Sequence, residues 1–322
     1  MKYIGLDIHK KHTHACVRDE NGKVQGNERF RTDVADIGRY FQRMTADTDQ
    51  RLAVALEATG FYFWIYDCIV ALGHEVLVVH PTKVKPLMRA KAKNDKHDAA
   101  TLAELLHTGC LEGIYVPPPR EIREMRDLTR HRESMVRKRS DLKREVLASL
   151  DLKGVKLPEE FHTNFTRKQM DWMRSLHDFV IGEKLDLLEL TVEKIGKVQA
   201  LIEERWDGDE EVRLIRTIPG VGLVTAAVLK AEIWDLSRFP SAESLAAYVG
   251  LTPTTYQSGE KEWTGPTRRG NSRVKHVLIE AMLFHTHFCP DSRISLYKRR
   301  KSDAIGKKKA VVAAGRKLLE AI

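Results

Sequence analysis

The sequence predicts an α/β N-terminal part followed by an all-α remainder. Three observations predict this fold class. Short apolar, β-rich runs alternate with helical patterns up to His107, the run Val116-Pro117-Pro118-Pro119 then interrupts the pattern, and apolar residues recur afterwards at helical spacing. We therefore expect three domains, at residues 1–117, 118–208 and 209–322.

The N-terminal part begins with a hairpin, because Asn21-Gly22 separates two strand-like runs. Asp33 is placed to cap the first helix. Predicted strands cover 3–6, 13–17, 24–30, 52–56 and 75–79, and predicted helices cover 33–44, 61–72, 82–88 and 96–107. A hairpin followed by β-α-β-α units predicts a mixed sheet flanked by helices, the order found in ribonuclease-H-like folds.

The middle part contains two long helical patterns, 120–150 and 179–206. Their apolar residues recur every seven positions: Leu128, Met135 and Leu142 with Met125 and Val146, then Leu188, Ile195 and Ile202 with Leu185 and Val192. A polar, irregular segment joins them. The pattern favours a helical hairpin, which either pairs with another chain as a coiled coil or packs on its own domain.

Composition favours a polyanionic partner. The 54 lysines and arginines exceed the 45 acids, which gives a formal net charge of +9, and nucleic acid is the commonest partner of such chains. A merely basic soluble enzyme is the alternative. The four cysteines are scattered, the N-terminus has no apolar signal core, and no apolar run is long enough to cross a membrane, so we expect a cytoplasmic protein with reduced thiols.

Four acids follow strands or begin a helix. Asp7 comes after the first apolar strand, Glu57 comes after the fourth, and Asp95 and Asp98 lie three apart at a helix start. If the two strands are parallel neighbours, all four carboxylates reach one sheet edge. Converging carboxylates need a cation, and magnesium prefers oxygen ligands and binds phosphate.

Each acid alone has a plainer interpretation as a strand-end surface charge or as a helix-start residue favoured by the dipole. The set together favours a metal site. His9, His12 and His14 could suggest zinc, but no matching pair follows at zinc-site spacing, so exposed hairpin histidines are the preferred interpretation.

The C-terminal part, from residue 211, reads as short helices separated by glycine-rich turns. The segment from Pro219 to Gly222 has the form of a helix-hairpin-helix turn, whose Gly220 and Gly222 would let backbone N–H groups approach a phosphate. A plain helix connection is the alternative. Ser258, in Gln257-Ser258-Gly259, precedes a basic loop and could expose a nucleophilic hydroxyl, but alone it reads as a turn residue.

Three motifs carry a family resemblance. Gly5-Leu6-Asp7-Ile8-His9-Lys10, Leu56-Glu57-Ala58-Thr59-Gly60 and Asn94-Asp95-Lys96-His97-Asp98-Ala99 resemble the DEDD signature of insertion-sequence family one hundred and ten, a transposase family that includes the Piv invertase. The C-terminal block resembles that family's transposase domain. One departure is Thr267-Arg268-Arg269-Gly270-Asn271, where the family has Ile-Ser-Lys-x-Gly-Asn. The resemblance extends from Met1 to about Arg293.

The resemblance implies a RuvC-like N-terminal fold in which Asp7, Glu57, Asp95 and Asp98 bind magnesium, or manganese in its place. It implies that Ser258 attacks DNA and forms a phosphoserine link, with Ser241 and Ser244 as weaker candidates. It further implies donor and target DNA as partners, an element-encoded guide (bridge) RNA that pairs with both, and dimers that assemble into a tetramer, with the metal site of one subunit beside the serine of another.

Nucleic-acid contacts are expected from basic, amide and glycine positions near these motifs. These are Lys10, Lys93, Gly220, Gly222, Arg268, Arg269, Asn271 and Arg273. Trp263 lies in the same basic region and could stack on a base.

Three other functions stay open at this point. A metal-dependent junction resolvase would use water as nucleophile, with Ser258 passive. A nucleic-acid-binding module would carry no chemistry. An actin-like sugar kinase also begins with a strand followed by Asp-Ile, but it needs a glycine-rich phosphate turn that His9-Lys10-Lys11 does not supply.

Overall fold

The computed structural model describes residues 1–46, 51–81, 95–111, 114–162, 164–258, 261–267 and 270–322. The chain forms two compact units, Met1–Pro117 and Pro118–Ile322. The predicted helix at 82–88 lies outside the described residues. No described helix combines the length and apolarity that a membrane crossing requires.

The N-terminal unit is a mixed sheet with helices. Its described strands stand in the order β3-β2-β1-β4-β5-β6, with β1, β4 and β5 parallel to one another and the other pairs antiparallel. The strands are β1 (Tyr3–Ile8), β2 (His12–Arg18), β3 (Val24–Arg31), β4 (Ala53–Glu57), β5 (Glu75–Val79) and β6 (Ile114–Tyr115), and the described helices are α1 (Val34–Thr45), α2 (Tyr62–Ala71) and α3 (Asp95–His107). The predicted α/β class is confirmed for this unit.

The predicted bounds of these elements differ from the observed ones by at most two residues. Asp33 caps α1 as predicted, because its side chain accepts a hydrogen bond from the backbone N–H of Asp36 at 2.8 Å. Gly22 takes a positive φ of 79° in the turn between β2 and β3. The two-residue strand β6 was not predicted, since so short an edge strand has no periodicity.

The two faces of the sheet have different partners. Even-numbered residues of β1 and β4, such as Leu6 and Leu56, are buried in a cluster with residues of α1 and α2. On the opposite face, Ala53 and Ala55 of β4 pack with Leu102 of α3. This alternation follows from the two-residue repeat of a strand, and it separates a large apolar core from the face that α3 covers.

The C-terminal unit is mainly helical. Its described elements are α4 (Arg120–Leu152), α5 (Arg167–Arg174), α6 (Phe179–Trp206), α7 (Glu210–Arg216), α8 (Leu223–Ile233), α9 (Ala242–Val249), β7 (Pro253–Ser258), β8 (Lys261–Thr267), α10 (Ser272–Phe288), α11 (Arg293–Ile305) and α12 (Lys307–Leu319). The main core lies between α6, α8, α9, α10 and α12, with the start of α4.

The long helices α4 and α6 form an antiparallel pair within this unit. Met125 near the start of α4 packs in one cluster with Ile202 near the end of α6, and Val146 near the end of α4 packs in another with Leu185 near the start of α6. The contribution expected from Val192 was wrong. That side chain is 49% exposed, and the neighbouring Thr191 is buried instead. A helix has 3.6 residues per turn, not the 3.5 of a strict seven-residue repeat, so the face of α6 that contacts α4 shifts from Val192 to Thr191.

The C-terminal unit also contains an antiparallel hairpin that the sequence analysis missed. Strands β7 and β8 pair over Pro253–Ser258 and Lys261–Thr267. Threonine and aromatic residues favour strands, but this hairpin lies between helices and was interpreted as loop. The polar segment between the long helices likewise contains the short helix α5.

Candidate active site

Two of the four predicted acids stand on neighbouring parallel strands. Leu6 of β1 pairs with Leu56 of β4 in the parallel register, so the next residues, Asp7 and Glu57, stand side by side. Both strands reach their carboxyl ends here, β4 at Glu57 and β1 one residue after Asp7. Because side chains alternate along a strand, Asp7 shares its face with Gly5, two positions earlier.

Helix α3 covers that same face, and its direction brings the other two acids to this edge. A Cβ atom at Gly5 would collide with the backbone of Ala99, so the helix lies directly on β1. Farther along α3, the ring of His107 contacts the ring of Tyr3 edge-on at 5.0 Å. Because Ala99 lies over Gly5 and His107 against Tyr3, α3 runs antiparallel to β1. Its first turn, which contains Asp95 and Asp98, therefore lies toward the carboxyl ends of β1 and β4.

The Asp7 carboxylate is partly enclosed. Only 14% of its side chain is exposed, and its Oδ2 lies 3.1 Å from Nε2 of His9, which is 52% exposed. Asp98 is half-buried, and the side chain of Asp95 lies outside what the structure describes. An enclosed carboxylate needs positive charge or hydrogen-bond donors around it.

The donor types at this edge suit a divalent cation. Asp7 and Glu57 offer hard carboxylate oxygens from two rigid neighbouring strands, which is the chemistry that Mg²⁺ and Mn²⁺ prefer. Among the described side chains, however, no three of His, Cys, Asp or Glu converge closely enough to hold a metal ion. A complete cage would therefore need Asp95 or a shift of Asp98.

Ser258 is the last residue of β7, where it pairs in register with Lys261 of β8. Its side chain lies outside what the structure describes, whereas the base of the hairpin is held by hydrogen bonds from Lys275. Lys275 Nζ donates to the carbonyl oxygen of Gly250 at 3.1 Å and to Thr267 Oγ1 at 2.8 Å. These bonds tie the start of α10 to the C-cap of α9, just before β7, and to the last residue of β8.

A buried ion pair fixes the segment that follows the hairpin. Glu232 of α8 is 2% exposed and accepts two bonds from Arg130 of α4, at 2.7 and 2.9 Å. Asn271 Nδ2 donates to Glu232 Oε2 at 2.9 Å, while Asn271 Oδ1 caps α10. Burial by itself raises the pKa of Glu232, but the bonds from Arg130 and Asn271 outweigh it and hold that pKa below its ordinary value.

This network uses side chains that were expected to contact nucleic acid. Both ends of the Asn271 amide are engaged within the protein, and Arg273 Nε donates to Glu133 Oε2 at 2.8 Å. Glu232 was not predicted from the sequence. A single acid within the apolar run Val228-Leu229-Lys230-Ala231-Glu232-Ile233 was the available signal, since such a residue is buried only with a partner.

The glycine turn before α8 has two different glycines. A Cβ at Gly220, where φ is +93°, would lie 2.6 Å from the backbone nitrogen of His285, so this glycine permits close packing on α10. His285 Nδ1 also lies 2.9 Å from the carbonyl oxygen of Pro219. Gly222 has open space around it and begins α8 with no side-chain cap. Only Gly222 therefore has the geometry expected of a phosphate-binding turn.

The remaining predicted contacts and candidates divide in three ways. Lys10 is exposed after β1. Lys93, Arg268 and Arg269, with the side chain of Trp263, lie outside what the structure describes. Ser241 and Ser244 form a reciprocal capping box at the start of α9, which explains both residues structurally.

Comparison with known families assigns this chain to a class. A family model described as "Transposase" matches residues 4–153, which contain the carboxylate edge. A second, described as "Transposase IS116/IS110/IS902 family", matches residues 212–297, which contain the β7–β8 hairpin. The class of protein that these two regions define is the transposases.

Individual relatives agree. A putative transposase, y4rJ, of Sinorhizobium fredii is 30% identical over 89% of this chain and 78% of its own length. A second from that organism, y4qE, is 29% identical over 86% and 70%. The transposase for insertion sequence element IS1111A of Coxiella burnetii is 26% identical over 98% and 87%. The chain belongs to the IS116/IS110/IS902 family of transposases.

Proposed function

We propose that this transposase cuts and rejoins DNA strands by phosphoryl transfer, with an acidic site in its N-terminal unit and Ser258 as the nucleophile. The observation that carries the proposal is the carboxylate edge. Asp7 and Glu57 stand side by side at the carboxyl ends of neighbouring parallel strands, and the first turn of α3, with Asp95 and Asp98, lies toward the same edge. The RuvC-like character of this fold is part of the proposal, supported by strand order and by the DEDD motifs.

Asp7, Glu57, Asp95 and Asp98 would hold the divalent cation, Mg²⁺ or Mn²⁺. When bound, the cation would neutralise charge that develops on the phosphate oxygens. The chain contributes rigidity, because Asp7 and Glu57 are fixed by strand pairing and α3 is pressed onto Gly5. His9 limits the movement of the Asp7 carboxylate through the contact at Oδ2.

Ser258 would supply the attacking oxygen. Its hydroxyl gives up a proton, its Oγ bonds to phosphorus, and the bond from phosphorus to one deoxyribose oxygen breaks, with that oxygen taking up a proton. The phosphoserine link conserves the phosphodiester, so attack by a second strand's hydroxyl reverses the step and rejoins DNA. Anchoring of the hairpin base through Lys275 supports this role, since a nucleophile must be held in place.

Recognition of DNA would use the basic character of the chain together with an element-encoded guide RNA. The net charge of +9 supports phosphate binding. Guide RNA, dimers that form a tetramer, and separate roles for 1–117, 118–208 and 209–322 rest on the family resemblance. Sequencing of nucleic acid recovered with the purified protein tests the RNA directly.

Two single substitutions test the chemistry. Asp7→Asn and Ser258→Ala should each abolish excision or rearrangement of a plasmid that carries the gene with its native flanking DNA, scored by PCR across the junctions. Asp141→Asn and Ser140→Ala, on the exposed side of α4, are matched controls that should retain activity.

The covalent link separates the proposal from a resolvase that uses water. Wild type should give a protein–DNA adduct that survives denaturation, and Ser258→Ala should give none. Full strand cutting by Ser258→Ala would overturn the nucleophile assignment and favour the resolvase. Full activity in Asp7→Asn would overturn the acidic site.

A further inference from the structure

A row of polar side chains continues from the acidic edge across the sheet. Asp7 of β1 pairs in register with His14 of β2, and His14 pairs with Arg29 of β3. Residues paired across antiparallel strands share a face. Glu57, Asp7, His14 and Arg29 therefore form one line on the face that α3 covers.

Packing confirms the face on which this row lies. Cys16, two positions after His14 on β2, is buried against Ala99 and Ala103 of α3. A cavity of about 180 Å³ opens beside that contact, lined by His14, Ala15, Asn27, Glu28, Arg29 and Ala99. The cavity thus adjoins the part of α3 that follows Asp98.

Arg29 supplies the unpaired charge at this place, because Glu28, the acid that also lines the cavity, pairs with Arg43 of α1. Arg29 is exposed and, among the described side chains, pairs with no carboxylate. By contrast, Nε of Arg31, two residues further along β3, lies 3.7 Å from Oδ2 of Asp33. The pKa of His12 is lowered, first by desolvation and then by the charges of Arg29, His14, Lys11 and Arg31. A group that feels several like charges reports a locally positive potential.

The distance between Arg29 and Asp7 suits two phosphates that lie close together on one DNA strand. Adjacent strands of a sheet are about 4.8 Å apart, so β3 lies about 10 Å from β1 and Arg29 stands two strands away from Asp7. Arg29 offers a planar guanidinium that binds phosphate oxygens in pairs. Asn27 and His14 supply further polar groups within the cavity.

We propose that Arg29, with His14 and Asn27, forms a subsite for a backbone phosphate of the DNA strand whose reacting phosphate lies at the acidic edge. The subsite deepens the proposed function and rests on it for the identity of the strand. The subsite would hold the DNA strand across β3 and β2, so that its next phosphates reach Asp7 and Glu57 in a fixed position.

Binding measured apart from activity tests the subsite. The probe is a 30-base single-stranded DNA of mixed sequence, bound to the full chain over a range of KCl concentrations. Each phosphate contact contributes about 0.7 to the slope of log K against log salt for single strands. Arg29→Ala should reduce that slope by about 0.7, and Arg29→Lys should keep most of it.

Arg39→Ala is the matched control, because Arg39 is an exposed arginine on α1, whose helix packs on the opposite face of the sheet. It should leave the slope unchanged. Thermal unfolding of Arg29→Ala should match wild type, since no described carboxylate loses a partner. An unchanged slope in Arg29→Ala, an equal loss in Arg39→Ala, or a loss confined to RNA of the same sequence would each overturn the subsite.

Two combinations of results distinguish a failure of the subsite from a failure of the proposed function. A reduced slope in Arg29→Ala, together with normal rearrangement by Asp7→Asn, would keep the phosphate contact and reject the acidic site. An unchanged slope, together with an inactive Asp7→Asn, would reject the contact and keep the site.

Discussion

Glu232 shows how much of the C-terminal unit depends on one residue. It is almost completely buried, yet it stays ionised because Arg130 and Asn271 donate to both carboxylate oxygens. Tyr248 also donates from Oη to the backbone oxygen of Glu232 at 3.1 Å. Four elements, α4, α8, α9 and the start of α10, therefore meet at this one residue, three of them at its carboxylate.

Removing the Arg130 guanidinium should lower the free energy of unfolding by an amount that depends on pH. Arg130→Ala leaves a buried carboxylate without its bidentate partner, and we expect a loss of about 3 kcal/mol in the free energy of unfolding at pH 7. The pKa of Glu232 is lowered from its ordinary value of 4.5 in the folded chain. Its contribution is therefore present above pH 4.5 and is lost as the pH falls through the lower, folded pKa.

Urea unfolding at pH 7 and at successively lower pH checks this. Arg144→Ala, which removes an exposed arginine of the same helix, should change stability by less than about 1 kcal/mol at every pH. Equal losses for the two variants, or a loss for Arg130→Ala that does not shrink in acid, would contradict the role given to Glu232.

At the scale of elements, the seat of α3 on β1 determines whether the acids can converge. The helix touches the sheet at Gly5, where a side chain cannot fit. Its N-terminal turn is thereby held at the carboxyl ends of β1 and β4. The only other requirement is that β1 and β4 be parallel, which the register shows.

Gly5→Ala should displace this helix. The added methyl group meets the backbone of Ala99 and Ala103, which cannot rotate away, so we expect a loss of about 1–3 kcal/mol in stability. Rearrangement activity should fall further than stability alone explains, because Asp98 moves with the helix. Gly26→Ala on β3, where a methyl group meets no other atom within 4 Å, is the control.

Chemical denaturation and the plasmid assay, run on the same variants, measure both effects. Activity in Gly5→Ala that simply follows its folded fraction would show that the position of α3 does not matter to the chemistry.

The helices α11 and α12 carry a cluster of lysine and arginine side chains. Gly306, with φ of 84°, is the single residue between them, and Lys307, Lys308 and Lys309 begin α12. Arg300 and Lys301 on α11 lie over the ring of Tyr297, at 5.9 and 5.8 Å. Basic side chains gathered on a turn suit phosphate contacts in a duplex.

Replacing the three lysines by glutamine should weaken duplex DNA binding and flatten its salt dependence. Each lost contact lowers the slope of log K against log salt by about 0.9, so the triple variant should lose up to about 2.7. Lys194→Gln combined with Lys197→Gln, on exposed positions of α6, should lose less per charge removed. Filter binding of a mixed-sequence duplex over a KCl series measures both. Equal losses per charge would mean that the cluster has no special role.

At the scale of the whole molecule, the proposed acidic site and the proposed nucleophile belong to different units. The acids lie in Met1–Pro117 and the hairpin of Ser258 lies in Pro118–Ile322. The family resemblance implies that the acids of one subunit work beside the serine of another. Such an arrangement makes assembly part of the catalytic mechanism.

Mixing two inactive variants tests the shared site. Asp7→Asn and Ser258→Ala should each be inactive, but their co-expression should restore part of the rearrangement activity, because some assemblies place intact acids beside an intact serine. Co-expression of Asp7→Asn with Glu57→Gln should restore nothing, since both defects lie in the same unit. No restoration in the first mixture would indicate that each subunit completes its own site.

The sequence by itself determined most of the local structure of this protein and named the residues on which the proposed chemistry depends. Strand and helix periodicity, the cap at Asp33 and the turn at Asn21-Gly22 predicted most elements of the N-terminal unit. The spacing of Asp7, Glu57, Asp95 and Asp98 predicted a carboxylate edge, and heptads predicted the paired helices. These signals are local, because period, capping and turn type depend on residues close together in the chain.

Only the tertiary structure decided which polar side chains are bound within the protein and which apolar side chains are buried. Asn271 and Arg273 looked available to nucleic acid, but they bind Glu232 and Glu133, which lie 39 and 140 positions away in sequence. Val192 was expected inside the helix pair and lies outside it. The row from Asp7 through His14 to Arg29 exists only through strand register. Such contacts depend on the distance between residues in space, which a single sequence does not record.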